Sequence, residues 1–155
     1  MKPLAKKASP AAIAVLRQAT ALWPKRKKAS DGLLPSLAHV SQNPNSDHNT
    51  GLAVDLTHDP AAGVNCQQIF EILQGDGRVD YLIFNSQIWS KRNGLRPYSG
   101  SNPHNKHLHI SIKPEFSKDE SPWFGWMERP KAKNRVKARF AKKAVKKEPP
   151  SPKED

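Results

Sequence analysis

The sequence predicts an α+β domain, a small antiparallel sheet with flanking helices, and three observations predict it. Short apolar runs alternate with polar residues at the period of two that marks half-buried strands. Two other stretches repeat apolar residues at helical spacing, and Asn85-Ser86 separates two strand-like runs at hairpin distance. With no internal repeat and with strands following one another across short connections, a separate antiparallel sheet fits better than a parallel one.

Taken in order, a first helix is expected from Pro10 to Leu22, capped by Ser9 with Pro10 in its first turn. It should stop before Trp23-Pro24, because a residue preceding proline disfavours helix. A basic connector from Lys25 to Lys28 leads to the turn signal Ser30-Asp31-Gly32, then to a loop rich in Asn and Ser. In Leu52-Ala53-Val54-Asp55-Leu56 the alternation turns Leu52, Val54 and Leu56 to a core and leaves Asp55 on the other face. Asn65 caps a second helix, near Cys66 to Leu73, which Gly75-Asp76-Gly77 ends. Tyr81-Leu82-Ile83-Phe84 and Gln87-Ile88-Trp89 form the hairpin, and a long loop from Lys91 to Asn105 follows it. In His107-Leu108-His109-Ile110-Ser111-Ile112, Leu108, Ile110 and Ile112 face the core while His107, His109 and Ser111 share the opposite face. Trp123, Phe124 and Trp126 are expected to seal the edge of the domain.

A chain of 155 residues that is 36% hydrophobic, with polar ends, supports one domain with a modest core. The expected division is a domain over residues 1–128 and a basic, partly disordered tail over residues 129–155. The net charge of +12 divides as +8 over residues 1–28, −4 over 29–128 and +8 over 129–155, so basicity belongs to the ends. In the tail, Val136, Phe140 and Ala144 make a weak apolar stripe that Pro149, Pro150 and Pro152 end. Such a segment reads equally as a solvated tail or as an anchor to an anionic wall polymer, a lipid surface or nucleic acid. Cys66 is the single cysteine, which excludes an intrachain disulfide and a cysteine-based zinc finger. No run approaches the roughly 18 apolar residues of a membrane span. Lys2, Lys6 and Lys7 before Ala11–Leu16 imitate a signal peptide, but Arg17 and Gln18 cut the apolar run short. Cytoplasmic synthesis is therefore expected.

Chemistry concentrates in two places. Residues 46 to 55 read Ser46-Asp47-His48-Asn49-Thr50-Gly51-Leu52-Ala53-Val54-Asp55, and a later strand carries His107-Leu108-His109. Two neutral imidazoles and one carboxylate are the set that a catalytic zinc uses while keeping a fourth position for water. Gly51 suits a sharp turn after His48, and Ser46 can hydrogen-bond within the same loop to orient it. His39 and His58 are isolated and read as surface or hydrogen-bonded residues, and Asp59-Pro60 reads as a turn starter.

The first stretch matches SxHxxGxAxD through Ser46, His48, Gly51, Ala53 and Asp55, and the second supplies the HxH that accompanies it. Together they resemble the zinc peptidases that cut peptidoglycan peptides: D-Ala-D-Ala carboxypeptidases, dipeptidases and murein endopeptidases, phage endolysins among them. The similarity spans roughly residues 23 to 113. It implies the hedgehog/D-Ala-D-Ala peptidase type of fold, a Zn2+ held by His48, Asp55 and His109, and a peptidoglycan peptide as substrate. Many members place an acid three residues before the last zinc histidine, where this chain has Lys106. His104, His107 and His109 instead resemble the penicillin-insensitive murein endopeptidases, which gives His107 the acid/base or polarising role with His104 beside it. Arg92, Arg96 and Tyr98 in the long loop read first as exposed loop residues and alternatively as lining the cleft to bind a substrate carboxylate, Arg96 being the candidate substrate residue. By the same resemblance the protein acts at the cell wall once released, and a monomer is the default.

Two other function classes compete. The hedgehog signalling domain resembles this group in its zinc site without serving as a peptidase, so a zinc-stabilised binding module also fits, and Lys106 is its best support. A metal-dependent nuclease would use Asp47-His48-Asn49 and the Lys-rich ends, but it explains fewer of the motif positions.

Overall fold

The fold is described from a computed structural model, which covers residues 4–127. The chain divides into two compact units, residues 1–123 and 124–155, and every element below belongs to the first. The tail stripe at Val136, Phe140 and Ala144 lies outside the described residues, as does any role for it.

Helix α1 (Pro10–Leu22) starts where the Ser9 hydroxyl accepts from Ala12 N at 3.2 Å, with Pro10 in the first turn where its missing N–H costs nothing. Its buried side is Ala11, Ala12, Ala14, Val15 and Ala19. Side chains this small let the helix backbone lie close to strand β1 (Ala53–Thr57), on which it packs. Between them comes α2 (Leu37–Gln42), capped by Ser36 and burying no residue. Helix α3 (Cys66–Leu73) is capped by Asn65, whose side-chain oxygen accepts from Gln67 N and Gln68 N at 3.1 Å each. It buries Cys66, Ile69, Phe70 and Leu73 against β2 (Val79–Phe84).

Strand β3 (Gln87–Ser90) returns from β2 across Asn85 and Ser86, at φ 51° and 64°. Two left-handed residues in a two-residue connection are the turn whose twist matches that of a hairpin. Strands β4 (Gly94–Pro97) and β5 (His107–Ile112) complete a five-stranded sheet of order β1-β5-β2-β3-β4, antiparallel throughout. The expected α+β class with a small antiparallel sheet is therefore what the chain adopts.

The HxH strand lies at the centre of the site because β5 runs between β1 and β2, and its register sets Asp55 directly opposite His109. Val54, Leu56, Leu108, Ile110 and Ile112 are buried on the core face, as the alternation predicts. Truncating any one of the three β5 apolar residues to Ala should cost about 2–5 kcal/mol.

Two elements correct the sequence reading. The Asn/Ser-rich loop before His48 contains α2, and the loop expected from Lys91 to Asn105 contains β4. Six residues bury too little to leave an amphipathic signature, and β4 is a four-residue edge strand, exposed at three positions and ending in proline. Strand β4 exists because β3 supplies its hydrogen bonds, whereas α2 closes its own, with Ser36 as its cap. The strand expected from Leu52 begins at Ala53, and its second face is also covered, since Ala53 and Thr57 are buried.

Candidate metal centre

Three separate local structures deliver three side chains to one point. His48 sits in a 3-10 turn, Asp47–Thr50, whose cap is Ser46; the Ser46 hydroxyl accepts from His48 N at 3.2 Å. Gly51 closes that turn at φ 75°, and a Cβ there would lie 2.7 Å from the carbonyl oxygen of Lys7. Both the dihedral and the crowding demand glycine. Asp55 comes from β1 and His109 from β5, adjacent through the strand register.

The ligand atoms converge. His48 Nε2 and His109 Nδ1 each stand 3.3 Å from Asp55 Oδ1, and one ligand atom from each of the three residues lies within 4.8 Å of the others. Bonds of about 2.1 Å around a tetrahedral zinc put neighbouring ligand atoms about 3.4 Å apart, so the two 3.3 Å edges fit such a centre. The opposite nitrogen of each ring is already committed. His48 Nδ1 donates to the Leu33 carbonyl at 2.7 Å, and His109 Nε2 is hydrogen-bonded to Ser111 Oγ at 2.9 Å. A carbonyl can only accept, so the neutral His48 ring carries its proton on Nδ1 and turns the Nε2 lone pair inward, while the Ser111 bond holds the plane of the His109 ring; such outer hydrogen bonds prepare a histidine for a metal. In donor type and in the two edges to Asp55, the three residues form a set that could hold a metal ion.

A second network holds the carboxylate in place. Gly32 and Asp55 exchange backbone hydrogen bonds of 3.1 and 2.8 Å, so the segment after the connector lies along β1. That segment is clamped by Arg26, which the sequence reading left in a basic connector but which is 5% exposed. Its guanidinium forks onto both oxygens of Asp31 at 3.0 and 2.8 Å, and Asp31 in turn accepts from the backbone N and the hydroxyl of Thr57.

Burial alone would raise the Asp55 carboxyl, but hydrogen bonds from His109 and His48 outweigh it and hold Asp55 well below the usual carboxylate range. Burial pulls His48 down, yet the bond and charge of Asp55 prevail and its pKa ends above that of a free imidazole. A metal entering the site would therefore displace a proton.

His107 Nε2 stands 3.7 Å from Asp55 Oδ2. Burial first, with repulsion from His109 and His48 added, lowers its pKa against the pull of Asp55, which favours the neutral ring. His104 packs edge-on to both His107 and His109, with ring centroids 5.0 and 5.7 Å away. It sits at φ 57°, held by a bond from its own N to Asn102 Oδ1 at 3.0 Å and from its Nδ1 to the Asn102 carbonyl at 2.8 Å. A non-glycine residue in that conformation costs on the order of 1 kcal/mol, and such strain gathers at functional sites. Burial and the neighbouring His109 and His107 bring the pKa of His104 down to about 4.

These side chains line a cleft of about 620 Å³. Its walls include residues the sequence reading did not single out. Tyr81 stacks on His109 at 5.4 Å, and burial pushes its hydroxyl up to about 12 despite a bond with Ser111. His39, read as an isolated surface or hydrogen-bonded residue, stands on α2 with its ring edge-on to His48 at 5.8 Å. Its Nε2 is buried with no hydrogen-bond partner among the described residues. No spacing rule links His39 to the motif, since the intervening turn had no signature of its own. His58 is structural: its Nδ1 accepts from Cys66 N at 3.1 Å and its ring leans on Phe84. Lys106 is exposed beside the site strand. Arg96 does not line the metal cleft; it lies in an adjoining depression on the same face of the sheet.

Residues 5–109 match the family model described as VldE, C-terminal domain, which covers more than half of the chain and spans every one of the clustered histidines and Asp55. The chain belongs to that family. No curated protein and no solved structure matches it.

Proposed function

We propose that this member of the VldE C-terminal domain family is a zinc-dependent peptidase that hydrolyses stem-peptide or cross-link bonds of peptidoglycan. The observation that carries the reading is the convergence of His48, Asp55 and His109 on one vertex, beside two further imidazoles and at the floor of an open cleft. The likeness of Ser46–Asp55 and of His107-Leu108-His109 to the murein peptidases supplies the substrate class.

Zinc, when bound, supplies Lewis acidity: it acidifies water to a pKa of about 7 and polarises a carbonyl. The chain's residues do the rest. Leu33 O and Ser111 Oγ orient the two ring ligands, and Asp55 supplies the negative charge. Neutral His107, with its Nε2 facing the Asp55 carboxylate, accepts the proton of the attacking water and returns it to the leaving amine. His104, held neutral by burial and with its Nδ1–H given to the Asn102 carbonyl, accepts a hydrogen bond from the reacting group at Nε2 without carrying charge.

The test is mass spectrometry of defined muropeptides incubated with the zinc-loaded chain. New fragments that disappear with a chelator, and with Asp55→Ala or His48→Ala, support the reading; intact turnover by His109→Ala would sink it. One observation favours a second reading, a zinc-stabilised binding module: the position where many relatives of this type carry an acid holds the exposed Lys106. Metal content and chelator-sensitive melting without any muropeptide cleavage would select it.

A further inference from the structure

Residues 29–128 contain seven Lys and Arg against eleven Asp and Glu, yet four of those seven cations gather in one place. Lys91, Arg92, Arg96 and Lys113 line a single depression of about 700 Å³ beside β3 and β4, with Asp80 as its one acid. Among the described residues none of the four has an ion-pair partner. Arg26 and Arg78, by contrast, are buried in ion pairs with Asp31 and Asp76. Unpaired like charges repel, so a mildly acidic segment has no folding reason to collect them.

The depression is continuous with the metal cleft. Tyr81 lines both, Ile83 floors the cleft, and its register partner Ile88 floors the depression. Following the register from strand to strand, Asp55, His109, Ile83, Ile88 and Arg96 stand in one row across the sheet, and directly opposed residues share a face. Arg96 is three strands from His109, roughly 14 Å at about 4.8 Å per strand. An extended peptide advances about 3.4 Å per residue, so that distance is about four residues.

We infer that this basic depression is a remote subsite that binds a peptide carboxylate about four residues along the substrate from the bond held over the metal centre. The inference rests on the peptidase reading for which peptide is bound, but the subsite is separable from the chemistry. Arginine forks suit a carboxylate, and two of the four cations are arginines. Charge on an edge strand also discourages pairing between sheets, but that role would be served by Arg96 without Lys113, which follows β5.

The experiment uses the full chain stripped of metal, so that binding is read without turnover, and two probes: a soluble tetrapeptide muropeptide with free carboxylates and its fully amidated counterpart. Calorimetric titration at low salt should show the carboxylated form binding roughly 10-fold more tightly. Arg92→Gln/Arg96→Gln should erase that preference, while Lys25→Gln/Lys27→Gln, an equal change of charge at exposed positions elsewhere, leaves it intact. With zinc restored, the first pair should raise KM about 10-fold and leave kcat unchanged, because binding far from the reacting atoms is uniform across the reaction. Equal affinity for the two probes, equal loss from both variant pairs, or preference for a glycerol-phosphate oligomer over the carboxylated muropeptide would overturn the inference. Charge-dependent binding without any cleavage product would instead remove the peptidase and leave the subsite. Cleavage with KM indifferent to Arg92 and Arg96 would do the reverse.

Discussion

Replacing Gly32 by alanine perturbs the metal centre without touching a ligand. The Cβ that alanine adds would lie 3.0 Å from Asp55 Oδ2 and 3.6 Å from its Cβ and Cγ. Ordinary contact begins near 3.4 Å, so the carboxylate must retreat by about 0.4 Å. It cannot slide freely, because β1 is tied to the Gly32 backbone on one side and to β5 on the other. Metal sites tolerate ligand displacements of about 0.2 Å, and disturbing a ligand's support typically costs 10–100-fold in metal affinity. Zinc affinity should therefore fall at least 10-fold, or about 1.4 kcal/mol. The metal-free fold should not suffer to the same degree. Gly32 is not in the left-handed region, so alanine fits its backbone and narrows the unfolded ensemble by about 0.4–1 kcal/mol in the fold's favour. Competition for zinc against a chromophoric chelator reads the first quantity, and thermal melting of the metal-free chain reads the second. Unchanged zinc affinity would refute the placement of Asp55 at the centre. A collapse of the metal-free fold would refute the division of labour between the backbone bridge and the carboxylate.

Arg26→Ala breaks a buried pair and leaves Asp31 charged and only partly solvated, which should cost about 3–5 kcal/mol, read by urea denaturation. Zinc affinity should fall with it, since the clamp that aligns Gly32 with Asp55 is gone; a loss below about 1 kcal/mol would show that the Thr57 bonds to Asp31 suffice. His104 sets a pH dependence. Its folded pKa of about 4 lies below the ordinary imidazole value of about 6.5. Between those values the unfolded chain binds more protons, so the stability His104 contributes is present above pH 6.5 and is lost as pH falls toward 4. His104→Gln should flatten that part of the stability curve of the metal-free chain, and an identical slope for wild type and variant would count against a buried neutral ring.

Strands β1 and β5 were legible from side-chain alternation because each has a face that must be dry: Leu108, Ile110 and Ile112 leave His107, His109 and Ser111 no other side to occupy. The ligand trio was legible because Ser46–Asp55 and His107-Leu108-His109 resemble a known pair of motifs; the long separation of Asp55 and His109 along the chain would otherwise hide that they are strand neighbours. The outer bonds were not. Leu33 O reaches His48 across fifteen residues and Gly32 reaches Asp55 across twenty-three, through backbone atoms that any residue possesses. Composition also misplaced Arg26, because one buried guanidinium among exposed lysines has the same sequence signature as a solvated one. His39 and the depression containing Arg96 depend on α2 and β4, the two elements too short to leave a periodic pattern.

The histidines of the site divide by how their nitrogens are used, and that division assigns their roles. His48 and His104 each donate one ring N–H to a backbone carbonyl, at Leu33 and Asn102, and His109 Nε2 shares a hydrogen bond with Ser111 Oγ. Such a bond holds the plane of the ring, and a carbonyl partner also fixes its tautomer, which suits a ligand or a fixed dipole and hinders a proton carrier that must exchange its own N–H. Among the described residues His107 makes no such hydrogen bond; Asp55 Oδ2 stands 3.7 Å from its Nε2, a charge that would stabilise the imidazolium formed when it takes a proton. Burial and the other rings keep it neutral until then. His107→Gln should therefore leave zinc affinity within about threefold of wild type, because no ligand or ligand-orienting bond is removed. It should lower kcat on a muropeptide by about 10²–10⁴-fold, the usual contribution of a positioned acid or base. A variant that loses zinc instead would make His107 part of the coordination sphere, and one that keeps full turnover would pass the proton-carrying role to His104.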